Sequence, residues 1–212
     1  FQEIERAGGI EAALASGLVA DRVGATWDAR LKNLARRKDP LTGVSEFPDI
    51  AEAPGGRPAA APAATVPLAA HRYAEVFEAL RDRADGAAER PRVFLANLGP
   101  IAVHTARATF AKNFFEVAGI ETIGNDGFDS PVAVEAAFAA SGARLACICS
   151  SDAVYEERAE ATARALHDAG AARVYLAGRH EAPGVDEHIS TGCDALDVLT
   201  RALDTLDSLG SK

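Results

Sequence analysis

Apolar residues in the second half of the chain fall into short runs at regular intervals. The runs at 93–96, 121–123, 145–149 and 174–177 read as strands, and a shorter, weaker one lies near 189–190. Between them the apolar positions recur at helical spacing, which predicts helices over 104–118, 131–141, 155–169 and 194–206. Gly119, Gly142 and Gly170 stand where left-handed C-terminal caps belong. Asp129 or Ser130 suits the N-cap of the second of these helices, with Pro131 in its first turn. Strands alternating with helices give a parallel sheet covered on both faces. The expected fold class is therefore α/β, a flavodoxin-like doubly wound sheet of order 2-1-3-4-5. One more amphipathic helix, over 71–84, precedes it with Tyr73, Val76, Phe77 and Leu80 on one side.

The first 47 residues have another pattern. Ile10, Leu14 and Leu18, then Val23, Trp27, Leu31 and Leu34, recur at helical spacing, punctuated by Gly8, Gly9 and Gly17. Asp39-Pro40 ends the last helix, and 41–47 reads as a short strand. Helices ending in one strand make no sheet, so this region belongs to a larger α/β unit or docks on a partner. From 48 to 70 the chain is rich in Pro, Ala and Gly, which cannot pack a core and reads as a linker. The expected organisation is thus 1–47, a linker at 48–70, and a sheet domain at 71–212.

With 48% hydrophobic and 25% charged residues, most of the 212-residue chain should fold. A net charge of -9 argues against nucleic acid or an anionic membrane as partner, because phosphates would be repelled. No apolar run is long enough to span a bilayer, and the charged start does not resemble a signal peptide. Cys147, Cys149 and Cys193 read as reduced, packed thiols of a cytoplasmic protein. The lack of any methionine, position 1 included, points to a fragment.

In an open parallel sheet, ligands bind beyond the carboxyl ends of the strands. The loop 97–103 occupies that place and leads to His104, whose imidazole is a potential metal ligand. A ligating histidine needs an orienting carboxylate or carbonyl, and the residue two before it is Ala102. Ser150, Ser151 and Asp152 close the third strand and could meet a ligand or cap the next helix. Gly178 ends the fourth and permits close backbone approach. Asp126, Asp129 and Asp152 would hold a cation only if they converged. There is no phosphate loop, nucleophile elbow or zinc motif, and no catalytic or metal-ligating set is assigned.

Several longer runs resemble one family. Leu41-Thr42-Gly43-Val44-Ser45-Glu46-Phe47-Pro48 is similar to the last strand of the (β/α)8 barrel of methylmalonyl-CoA mutase small subunits, and 7–14 is similar to a late helix of that barrel. The runs 104–111 and 113–121 resemble the first helix of the family's cobalamin-domain fold, and 149–152 and 176–178 its later strand ends. The resemblance implies the C-terminal portion of such a subunit. The subunit pairs with a large subunit that carries adenosylcobalamin and interconverts methylmalonyl-CoA and succinyl-CoA. Catalytic chains carry D-x-H-x-x-G, a serine motif and a paired glycine. Counted back from Gly119, His104 falls on the histidine, Ala102 on the aspartate and Arg107 on the glycine; Ser151 matches the serine, and Ala177-Gly178 replaces the glycine pair. His104, Ser151 and Gly178 are then vestigial cofactor contacts. The chain is expected to be non-catalytic, to bind no cobalamin tightly and to stabilise the large subunit. The alternative is a cobalamin-binding module with His104 on cobalt; a catalytic flavodoxin-like or metal-dependent enzyme has the least support.

Overall fold

The computed structural model describes residues 1–52, 68 and 70–210. Three helices come first: α1 (Gln2–Arg6), α2 (Ile10–Ala15) and α3 (Leu18–Ala35). After α4 (Glu75–Asp85), strands and helices alternate: β1 (Arg92–Asn97), α5 (Ile101–Glu116), β2 (Glu121–Ile123), α6 (Pro131–Ser141), β3 (Leu145–Cys149), α7 (Asp152–Asp168), β4 (Arg173–Ala177), β5 (Glu187–Ile189) and α8 (Ala195–Gly210). The sheet is wholly parallel with order β2-β1-β3-β4-β5, as the alternation requires.

Side chains of a strand alternate between faces, and here both faces are buried. Val93, Leu95, Cys147, Cys149 and Tyr175 point to the layer of α4, α5 and α8, where Phe77, Phe114, Phe115, Leu199 and Leu203 cover them. Phe94, Ala96, Ala146, Ile148, Val174 and Leu176 point to α6 and α7, meeting Val134, Phe138, Tyr155, Ala159 and Leu166. The N-terminal helices join the first layer through Leu34, fully buried, and Trp27, packed against it. Trp27 stacks on His71 at 4.4 Å between centroids.

Helix ends follow their chemistry. The Ser130 hydroxyl accepts from the Ala133 N–H at the start of α6, and Gly142 closes that helix in the left-handed conformation, φ 70°. Three expectations need correction. Residues 41–47 form no strand; a single bridge joins Thr42 to Glu46 around Gly43 at φ 81°. The Ser45 hydroxyl accepts from Leu41 N–H at 2.9 Å and stabilises a turn in place of an extended edge. Helix α5 begins at Ile101, so His104 lies inside it, and α7 begins at Asp152, three residues early. Most of the stretch read as a linker, 53–67 and 69, lies outside the described residues. No part of a barrel is visible among them.

Candidate functional site

The strand order reverses beside β1, the place where an open parallel sheet offers a ligand crevice. The floor of that place is tied together by the chain itself. Leu98 N–H donates to Cys149 O at 3.0 Å, Gly99 N–H to Phe128 O at 3.0 Å, and the Ser150 hydroxyl to Leu98 O at 2.8 Å. Gly127 has φ 112°, and a Cβ on it would overlap the Gly99 carbonyl. The loops after β1 and β2 are thus in backbone contact.

His104 faces this packed floor. It is 4% exposed, its Nε2 lies 3.3 Å from Asp126 O, and its buried Nδ1 has no partner among the described residues. Placed in the first turn of α5, the ring is drawn inward beside Gly127.

Arg107, one turn on, reaches across the opening. Its guanidinium donates to Ala177 O and pairs with Asp152 Oδ1 at 2.9 Å, and it lies 5.7 Å from the centre of the Tyr155 ring. Gly178 makes this possible. It is buried at φ 149°, and a Cβ there would overlap the guanidinium. The glycine that was a candidate contact for a ligand is therefore covered by an arginine of the same chain.

Ser151 is the N-cap of α7, accepting from Val154 N–H at 3.4 Å. The capping role considered from sequence is the one it fills. Its neighbour Ser150 is fully buried. Tyr155, which the sequence reading treated only as a helix start, is the hub of this side. Its phenol oxygen accepts from Ser150 N–H at 2.7 Å and lies 2.9 Å from Ala177 O and 3.2 Å from Ile148 O, either of which can take its proton. Burial pushes the phenol well above its ordinary range, so it stays neutral. An aromatic four residues past the serine was the available signal. Asp126, Asp129 and Asp152 do not converge: among the described residues no group of three or more His, Cys, Asp or Glu side chains could hold a metal ion.

Arg107 and Gly178 are thus brought together, whereas His104 is turned to Asp126 and Ser151 caps α7, so each is engaged by the protein. The residues present do not fit a cobalt–corrin. The imidazole points into the floor, no carboxylate stands at Ala102, and Arg107 lies over the one glycine at the end of β4.

No family model matches the chain. It is 54% identical over 215 residues to the methylmalonyl-CoA mutase small subunit of Streptomyces virginiae, covering 97% of this chain and 34% of that protein. The small subunit of Propionibacterium freudenreichii subsp. shermanii is 39% identical over 216 residues, with the same coverages. That of Porphyromonas gingivalis is 32% identical over 214 residues, 94% of this chain and 34% of that protein. The chain spans about a third of the length of the curated relatives it matches. Along nearly its whole length, this chain is similar to about a third of each of these methylmalonyl-CoA mutase small subunits.

Proposed function

We propose that this chain is a non-catalytic part of the small subunit of a heterodimeric, adenosylcobalamin-dependent methylmalonyl-CoA mutase. In this reading the large subunit carries the cofactor and isomerises methylmalonyl-CoA and succinyl-CoA in the cytoplasm. Residues 71–212 are a cobalamin-domain-like scaffold whose role is to stabilise the partner, and residues 1–47 are the end of a barrel lying mostly outside this chain. The relatives' names support the subunit identity. The observation that carries the non-catalytic reading is Arg107. It spans the crevice to Ala177 and Asp152, while His104 is turned into the floor.

The chain's own residues stabilise its fold there. Arg107 joins α5 to β4 and α7, Tyr155 joins α7 to β3 and β4, and Ser150 ties β3 to the loop after β1. Opening the crevice to a bulky ligand would break several of these bonds at once, each worth roughly 1 kcal/mol net. A rival reading, in which His104 ligates cobalt, requires the ring to leave a 4%-exposed position.

Two measurements test the proposal. Hydroxocobalamin titrated into the protein should give the visible spectrum of the free cofactor, with wild type and His104→Ala indistinguishable. Co-expression with a mutase large subunit should yield a co-purifying pair whose large chain survives longer than when expressed alone. A histidine-dependent spectral change, or a large subunit indifferent to this chain, contradicts it.

A further inference from the structure

The cleft that Arg107, Asp152 and Gly178 line runs on between α5 and the ends of β4 and β5, where Phe110, Arg179, Ser190 and Thr191 complete a volume of about 470 Å³. A smaller cleft of about 210 Å³ shares Ser190 and Thr191 and adds Arg36 and Arg37. On a chain of net charge -9, four guanidiniums therefore surround the 190–191 loop. Two carboxylates of the lining oppose them, and Asp194 lies beside Cys193 at its edge. Glu46 pairs with Arg37 at 2.6 Å and Asp152 with Arg107 at 2.9 Å. Arg36 and Arg179 have no ion pair among the described residues, and both are exposed.

Arg179 is held in place without being neutralised. Its Nε lies 3.4 Å from Ser190 Oγ and its Nη2 3.3 Å from Thr191 O, beyond the roughly 2.7–3.2 Å of good N–H···O bonds. These long bonds to neutral acceptors orient the fork and are readily exchanged for a charged oxygen, which binds about twice as strongly. Gly178 leaves room for the Arg107 guanidinium at the end of β4, where Arg179 follows in the chain and lines the same cleft. Phe110, half-buried, supplies an apolar wall.

We propose that this cleft binds a small phosphate-bearing molecule, with Arg179 as the principal anion contact, Arg107 and Ser190 beside it, and the apolar part of the ligand against Phe110. A phosphate group has enough terminal oxygens to take hydrogen bonds from both forks, which a guanidinium matches in geometry. The volume lies within the roughly 300–1,000 Å³ usual for small-molecule sites. The acidic remainder of the chain does not prevent this, because at physiological salt fields fade over about 8 Å and the nearest charges dominate. The proposal concerns a different ligand from cobalamin, in a cleft that shares Arg107, Asp152 and Gly178 with the site described above, and it rests on the reading that Arg107 keeps a corrin out.

The test uses inorganic phosphate as probe on the whole chain, at constant ionic strength set by KCl. Phosphate-31 line broadening, with a thermal-unfolding shift as second readout, should show saturable millimolar binding. Arg179→Gln should weaken it at least about tenfold while leaving the far-ultraviolet circular dichroism unchanged, since that side chain is exposed. Arg36→Gln should weaken it less. No saturable binding, binding that persists in Arg179→Gln, or an effect that KCl reproduces would each overturn the proposal.

Discussion

Arg107 and Asp152 meet at 2.9 Å across the mouth of the crevice, one from the second turn of α5 and the other from the first residue of α7. Their side chains are 31% and 67% exposed, so the ion pair by itself contributes little. Arg107 contributes more through its bond to Ala177 O and its contact with the Tyr155 ring. Asp152→Asn should therefore cost less than about 1 kcal/mol in urea unfolding, and Arg107→Ala about 1–3 kcal/mol. Equal costs would mean that the ion pair is all that Arg107 provides.

Two buried tyrosines should respond oppositely to loss of the hydroxyl. The Tyr155 hydroxyl satisfies Ser150 N–H, so Tyr155→Phe leaves a buried donor unpaired and should cost about 1–3 kcal/mol. The Tyr175 hydroxyl is buried without a partner among the described residues, so Tyr175→Phe should be neutral or stabilising. Chemical denaturation of the two variants decides the point. A costly Tyr175→Phe would show that its hydroxyl is satisfied in solution.

The same phenols set an alkaline limit. Burial raises both above their ordinary value of 10.0, so the folded chain keeps protons that the unfolded chain releases. Their contribution to stability is whole below pH 10 and declines as pH rises above it. Unfolding free energy measured from about pH 9 to 11 should fall, and less steeply in Tyr155→Phe. An unchanged slope in that variant would assign the decline to other groups.

Ser151 should behave as a cap. Ser151→Ala is expected to cost about 0.5–1 kcal/mol, the low end for an N-cap given its 3.4 Å bond, and Ser151→Asp should restore it. A large loss with no rescue by Asp would show that the serine is doing something beyond ending α7.

Cys147 and Cys149 are fully buried on one face of β3, with Sγ atoms 3.9 Å apart, and burial pushes the Cys147 thiol up. Both should resist a thiol reagent until the protein unfolds, whereas the half-buried Cys193 should react slowly in the native state. Rapid native labelling of all three would contradict the packing of β3.

The sheet was legible because its signal is local and repeated. Each strand is a short apolar run, each following helix has a glycine or serine at its boundary, and the order follows from right-handed crossovers. The strand expected at 41–47 was not, because its β-prone residues lack a neighbour to pair with, and Gly43 and Ser45 close a turn instead. The candidate site was half legible. Motif counting brought out His104, Ser151 and Gly178, which lie near the carboxyl ends of the strands and are each engaged by the protein. That His104 faces Asp126 depends on α5 starting three residues before it, and helix boundaries are the least readable feature of a sequence. Arg179 carries no motif, and only the packing of the β5 end against α5 places it beside Arg107.

The central claim is that no imidazole nitrogen of this chain reaches cobalt. Electron paramagnetic resonance of cob(II)alamin mixed with unlabelled and nitrogen-15-labelled protein tests it most directly, because the axial nitrogen splits the cobalt lines. The account predicts identical spectra for the two samples. A splitting pattern that changes with the protein label, and reverts in His104→Ala, would contradict it.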